Sequence, residues 1–202
     1  MNHPLPTGIP VHDLRILFVY EDKRARYLFE ELKCKMHLAG IFRVKIDESN
    51  FFLGMNMLVC TLEIAFSMIK NGKFPRINAR MLYHSALCRP AFIRKMSSCV
   101  DNYIDSMGSK PDLILQCGST FAPYFRTPKI PFALVIDNYT DPPDSLIQKN
   151  RLRGWSTIYD KSFYQFQKEL YGNASRIFTF SKWCKEGLCK AYDIDPRKII
   201  AI

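Results

Sequence analysis

The sequence lacks any run approaching the roughly 18 consecutive apolar residues that a membrane-spanning helix needs. Its start, MNHPLPTGIPVHDL, has neither the basic segment nor the continuous apolar segment of a secretory signal. A cytoplasmic chain is the expectation from these two absences. No C-x-x-C pair occurs among the seven cysteines (34, 60, 88, 99, 117, 184 and 189), which lie mostly in apolar segments. They read as reduced, buried thiols. The four histidines (3, 12, 37 and 84) share no ligand spacing, so no metal site is expected. No G-x-G-x-x-G follows the first apolar run, where YEDKRARY stands instead, and no G-x-x-x-x-G-K-[ST] occurs. NAD or FAD binding through that loop and nucleotide hydrolysis are disfavoured, and no resident cofactor is expected. There is no G-x-S-x-G elbow, internal repeat or low-complexity tract. Scattered aromatics without a single-strand or helix-turn-helix module argue against nucleic acid.

The chain has 202 residues, enough for one sizeable core, and 48% of them are hydrophobic. Its formal net charge is +10. Residues 51 to 110 carry 8 basic against 3 acidic side chains, and residues 1 to 50 carry 8 against 7. Such a balance favours an anionic partner: a membrane surface, nucleic acid or a phosphorylated small molecule.

Residues 1–12 read as an extended lead-in and 13–202 as a single domain. DLRILFVY (13–20) is a strand suited to burial on both faces of a parallel sheet. A helix follows, with Leu28, Leu32, Met36 and Ala39 at helical spacing and Gly40 as its stop. IFRVKID (41–47) alternates like a strand. Residues 53–72 place Met57, Leu58, Thr61, Leu62, Ala65, Met68 and Ile69 on one broad face, which predicts a largely buried helix. Residues 73–91 have few periodic positions. A helical stripe returns from Phe92 to Met107. Strands are predicted over PDLILQCG (111–118) and IPFALVIDNY (130–139), separated by STFAPYFRTPK. After the polar loop 140–157 come a helix (160–174), a strand (175–181), a helix capped by Ser181, and the closing strand RKIIAI (197–202). Strands alternating with helices predict an α/β, Rossmann-like three-layer domain with a mainly parallel sheet.

In such a sheet, ligands bind beyond the carboxyl ends of the strands, near the point where strand order reverses. Candidates after the first strand are Glu21, Asp22, Lys23 and Arg24: Arg24 with Arg26 either holds an anion or belongs to a solvated helix start of mixed charge. Gln116, Gly118 and Ser119 follow the second strong strand: with Thr120 they form either a cradle for an anion or sugar hydroxyl, or a simple turn. Asp137, Asn138 and Thr140 follow the next. A carboxylate ending a wholly apolar strand must find donors or solvent. Asp137 therefore either meets a polyhydroxylated ligand, acts as a base, or caps its own turn. Ser181 follows IFTF. Arg89, Arg94 and Lys95, interleaved with Phe92, Ile93 and Met96, form either a face for anionic lipid or an ordinary amphipathic core helix. In the first case the protein sits peripherally on the inner membrane face.

IPFALVIDNYTD and YQFQKELYGNASRIFTFSKWCKEGLCKAYDIDPRKIIAI resemble the second half of the N-terminal domain of retaining GT-B glycosyltransferases of the family 4 group. The matching pieces are Tyr171 to Arg176, Ile177 to Trp183 and Tyr192 to Ile200, within a likeness covering roughly residues 111 to 202. The resemblance implies the acceptor-side half of a two-domain enzyme that moves a sugar from a nucleotide-sugar donor to a glycan, lipid or small acceptor. Donor binding would be supplied by a second domain, in cis or as a separate chain, and the 202 residues alone are expected to transfer no sugar. Asp137 carries over to a position near the acceptor and transferred sugar. Two departures stand out: YEDKRARY replaces a glycine-rich first loop, and Lys182 stands where an acidic residue is common. The alternative is a non-catalytic α/β binding module that docks to a partner chain or an anionic membrane surface.

Overall fold

The computed structural model describes residues 15–20, 38–43, 86–123, 130–139 and 161–202, with isolated helical positions at 30, 55, 58, 59, 61 and 62. Their strands are β1 (Ile16–Tyr20), β2 (Leu38–Arg43), β3 (Leu113–Cys117), β4 (Phe132–Ile136), β5 (Arg176–Thr179) and β6 (Ile199–Ala201). They form one six-stranded sheet in the order β2-β1-β3-β4-β5-β6. All five pairings are parallel. Three helices run alongside: α1 (Pro90–Ser106), α2 (Lys161–Asn173) and α3 (Lys182–Tyr192).

Alternation along each strand splits the core in two. On one face Leu17, Val19, Ile114, Leu134 and Ile177 pack with Phe92, Met96, Val100 and Ile104 of α1, Leu170 and Tyr171 of α2, and Cys184, Leu188 and Tyr192 of α3. On the other, Ile16, Phe18, Leu115, Ala133 and Val135 form a second buried cluster. Burial on both faces makes the sheet the middle layer of a Rossmann-like α/β fold, and it explains why these strands read as continuous apolar runs.

Local chemistry sets the element ends. Pro90 opens α1, where its missing N–H costs nothing. Ser181 caps α3 by accepting from Cys184 N at 3.1 Å. Asp193 closes α3 in the left-handed conformation, φ 57°. At the amino edge of the sheet, Arg15 N donates to Asp112 Oδ2 at 3.0 Å while Asp112 N donates to Arg15 O at 2.8 Å, which clamps β1 to β3. The Arg15 guanidinium adds a 3.3 Å contact through Nε.

Two expectations are corrected. Leu38, Ala39 and Gly40 belong to β2 rather than to the end of a helix, with Gly40 paired to Leu17. Tyr103 Oη and Met107 approach the Cα of Gly40 so closely that a Cβ there would stand 3.2 Å and 3.5 Å from them, so a strand interior, not a helix stop, uses this glycine. The helical positions Leu58 and Leu62 are 53% and 50% exposed, not buried, while Met57, Ala65, Met68 and Ile69 of the same predicted face lie outside the described residues. With Met55, Leu58 and Leu62 form an i, i+3, i+7 stripe, and apolar side chains make up much of any protein surface.

Candidate functional site

Strand order reverses between β1 and β3, because β2 lies on one side of β1 and every later strand on the other. The carboxyl ends of β1 and β3, at Tyr20 and Cys117, therefore flank the crevice in which parallel sheets place ligands. Gly118 continues past the end of β3. Its N–H donates to Val135 O at 3.0 Å, extending the β3–β4 pairing by one step. It then turns with φ +101°, a conformation L side chains rarely adopt, and among the described residues nothing stands within 4 Å of where its Cβ would be. The glycine is there for the turn, and no described residue crowds the space above it.

Beneath the turn lies Gln116, fully buried. Its Nε2 donates to Gly118 O at 3.0 Å and to Phe121 O at 2.8 Å. The expectation that Gln116 lines the cleft is corrected: a long amide on the inward side of a strand braces the loop from below. Because a trans peptide sets C=O and N–H in opposite directions, drawing the Gly118 carbonyl inward turns the Ser119 N–H outward. The far end of the loop is held by Ala122 N donating to Ser97 Oγ of α1 at 2.9 Å.

Ser119 is also held from the side. Gln167 Nε2, on α2, donates to Ser119 Oγ at 3.1 Å, and Tyr192 Oη, on α3, donates to Gln167 Oε1 at 2.7 Å. Tyr192 in turn stacks on Tyr164, centroids 4.8 Å apart, and meets Tyr171 edge-on at 4.8 Å. The Tyr164 hydroxyl donates to Ala191 O. Two buried polar atoms border this network without a hydrogen-bond partner among the described residues: Gln116 Oε1 and Tyr171 Oη. Tyr171 Oη faces the Ser119 side chain outside hydrogen-bond geometry, and burial holds its acidity far below that of an ordinary phenol. Sequence reading missed Gln167 and Tyr192. The available signal was a glutamine on the buried stripe of α2, with Phe163, Leu170 and Tyr171.

One strand over, Asp137 and Asn138 follow β4 and are exposed. Asn138 Oδ1 accepts from Tyr139 N at 2.8 Å, so Asn138 caps this turn, a task the sequence left open for Asp137. The Asp137 carboxylate lies near the first turn of α3. Burial, helped by that carboxylate, pushes the Cys184 thiol up to about 11, which keeps it protonated and unreactive at neutral pH. Ser181, after β5, spends its oxygen on the helix cap, and it also accepts from Thr179 Oγ1 through its carbonyl at 3.1 Å. Lys182 beside it is exposed.

The structure thus brings Gly118, Ser119, Asp137, Asn138 and Ser181 to three neighbouring strand ends, about 4.8 Å apart from strand to strand. Glu21, Asp22, Lys23, Arg24, Arg26 and Thr140 lie outside the described residues. The lipid-facing reading of α1 is corrected in its apolar half. Phe92, Ile93 and Met96 are buried, because packing on the sheet removes them from water. Arg94 and Lys95 are exposed and Arg89 is half-buried at the N-cap. No described helix is long and apolar enough to cross a membrane. Among the described residues, no three His, Cys, Asp or Glu side chains gather as a metal site and no two cysteines are joined. No family model, curated protein or solved structure matches the chain.

Proposed function

We propose that this chain is the acceptor-binding half of a glycosyltransferase, working with a nucleotide-sugar-binding domain that supplies the donor. The observation that carries the reading is the pairing of a hydrogen-bond donor, Ser119, with an exposed carboxylate, Asp137, on adjacent strand ends beside the switch point. A sugar hydroxyl both donates and accepts. Asp137 accepts a hydrogen bond from it, and Ser119 donates to an oxygen beside it. A phosphate would be repelled by the same carboxylate, which favours a neutral polyol over an anion at this spot. The likeness of residues 111 to 202 to the GT-B acceptor domain rests on the segment that builds β3 to β6, the same strands that present the site.

In this role the chain performs no bond-making alone. It orients one acceptor hydroxyl, and Asp137 holds that hydroxyl's proton in a hydrogen bond while the donor half carries the leaving group. The test is glycan profiling of cells deleted for the gene. One sugar should be missing from a cellular glycan or glycolipid, restored by the wild-type gene, and restored at least tenfold less well by Asp137→Ala at equal protein level. An unchanged glycan profile after deletion would sink the proposal.

A further inference from the structure

We infer that Gln167, buried between α2 and α3, is a positioning residue that commits the Ser119 hydroxyl to donate its proton to a neutral oxygen of the ligand. This rests on the acceptor-binding reading and adds to it which way a recognition hydrogen bond runs. The inference starts from the direction of a three-residue chain. Tyr192 O–H has one proton and gives it to Gln167 Oε1 at 2.7 Å. The carbonyl end of the amide thus faces Tyr192, which leaves its N–H₂ end facing Ser119, 3.1 Å away. Ser119 Oγ accepts there, so its own proton is free to be donated elsewhere. Without Gln167 the hydroxyl would turn to whatever acceptor lay nearest.

Among the described residues, one acceptor competes with a ligand for that proton. Tyr171 Oη is fully buried and near Ser119, yet out of hydrogen-bond geometry with it. The ligand oxygen lies above the face of Gly118 that no described residue crowds. The Ser119 N–H already points outward, because Gln116 draws the Gly118 carbonyl down. Ser119 therefore offers two donors to the same side, and a single oxygen lone-pair region suits both. The nearby Asp137 carboxylate makes a sugar hydroxyl or ring oxygen the fitting acceptor, and a phosphoryl oxygen a poor one.

The experiment follows the Ser119 and Gly118 backbone amides by ¹H–¹⁵N NMR in the full chain, titrated with methyl α-glycosides of common hexoses and, separately, with inorganic phosphate. Saturable shifts of both amides with a glycoside and none with phosphate are expected. Gln167→Glu replaces the donating N–H₂ with an acceptor and should weaken that binding about fivefold to tenfold, the worth of one neutral hydrogen bond. Because a buried carboxyl can unfold the chain, Gln167→Met serves as the second variant, with the same loss expected. In a Ser119→Ala background neither change should weaken binding further, a result that a merely structural role for Gln167 does not produce. Tyr171→Phe should leave affinity equal or higher. Unchanged affinity in both Gln167 variants, additive losses with Ser119→Ala, weakened binding in Tyr171→Phe, or phosphate in place of glycoside would each overturn the inference. Glycoside shifts at Asp137 and Asn138 but not at Ser119 would overturn it and leave the acceptor reading standing. No glycoside shift at any strand end, with an unaltered glycan profile on deletion, would remove both.

Discussion

The ring of Tyr139 lies across Gly187, filling the space that a side chain at position 187 would occupy. The same ring contacts Trp183, one helical turn earlier, with centroids 5.0 Å apart. A glycine in the interior of α3 costs about 1 kcal/mol relative to alanine, and this contact is its structural reason. It ties the turn after β4, where Asp137 and Asn138 stand, to the first two turns of α3.

Gly187→Ala should therefore destabilise the fold by about 1 kcal/mol, because displacing a packed ring costs more than the gain in helix propensity. Urea unfolding measures this. In a Tyr139→Ala background the same substitution should stabilise by up to about 1 kcal/mol, and no change of sign would show that the contact does not govern the position.

The tyrosines beside α2 and α3 should respond oppositely to loss of their hydroxyls. Tyr192→Phe strands the buried Gln167 Oε1 and should cost roughly 1–3 kcal/mol. Tyr171→Phe removes a hydroxyl that already has no hydrogen-bond partner among the described residues and should be neutral or stabilising. Thermal unfolding of the two variants side by side is the check, with equal losses as the contrary result.

The two ends of α3 offer a second pair of opposite signs. Ser181→Ala loses the cap to Cys184 N and should cost about 1 kcal/mol. Asp193→Gly relieves a left-handed residue at φ 57° and should stabilise by about 0.5–1 kcal/mol. Chemical denaturation of both variants against wild type tests them, and an Asp193→Gly variant no more stable than wild type would show that the left-handed backbone carries no cost at this position.

Acid should weaken the fold through two carboxylates. Hydrogen bonds from the Arg15 backbone N–H, then from its side chain, hold Asp112 below the usual carboxylate range. The Arg197 side chain, then its backbone N–H, holds Asp195 at about 2. Both folded values lie below the unfolded ones, so their contribution is complete above about pH 4 and is lost as pH falls through the folded values. Both carboxylates are about equally exposed, 36% for Asp112 and 37% for Asp195, so solvent screens each of them and both contributions are modest. Stability measured from pH 6 to pH 2 should fall below about pH 4, and Asp112→Asn should start lower and fall less. An Asp112→Asn profile parallel to that of wild type would rule out the linkage.

Much of the fold was legible in the chain. β3 and β4 were readable because burial on both faces leaves an unbroken apolar run, and α3 because Ser181 caps it and its apolar stripe repeats every fourth residue. The candidate strand ends could be named because a parallel sheet puts its sites there. What misled the reading was local ambiguity. Gly40 looks like a helix stop from its neighbours and is a strand residue because Tyr103, far along the chain, lies against it.

The amino-acid sequence by itself determined the alternation of strands and helices, the caps, and the residues that follow each strand, since all of these depend on neighbours within a turn or two. Only the tertiary structure decided which strand ends are adjacent, that Gln116 braces a turn instead of lining a cleft, and that Gln167 reaches Ser119. Those contacts join residues such as Gln167 and Ser119, 48 positions apart in the chain, whose meeting depends on strand order and helix packing. Buried amides and hydroxyls must pair somewhere, but chain-local chemistry does not say with whom.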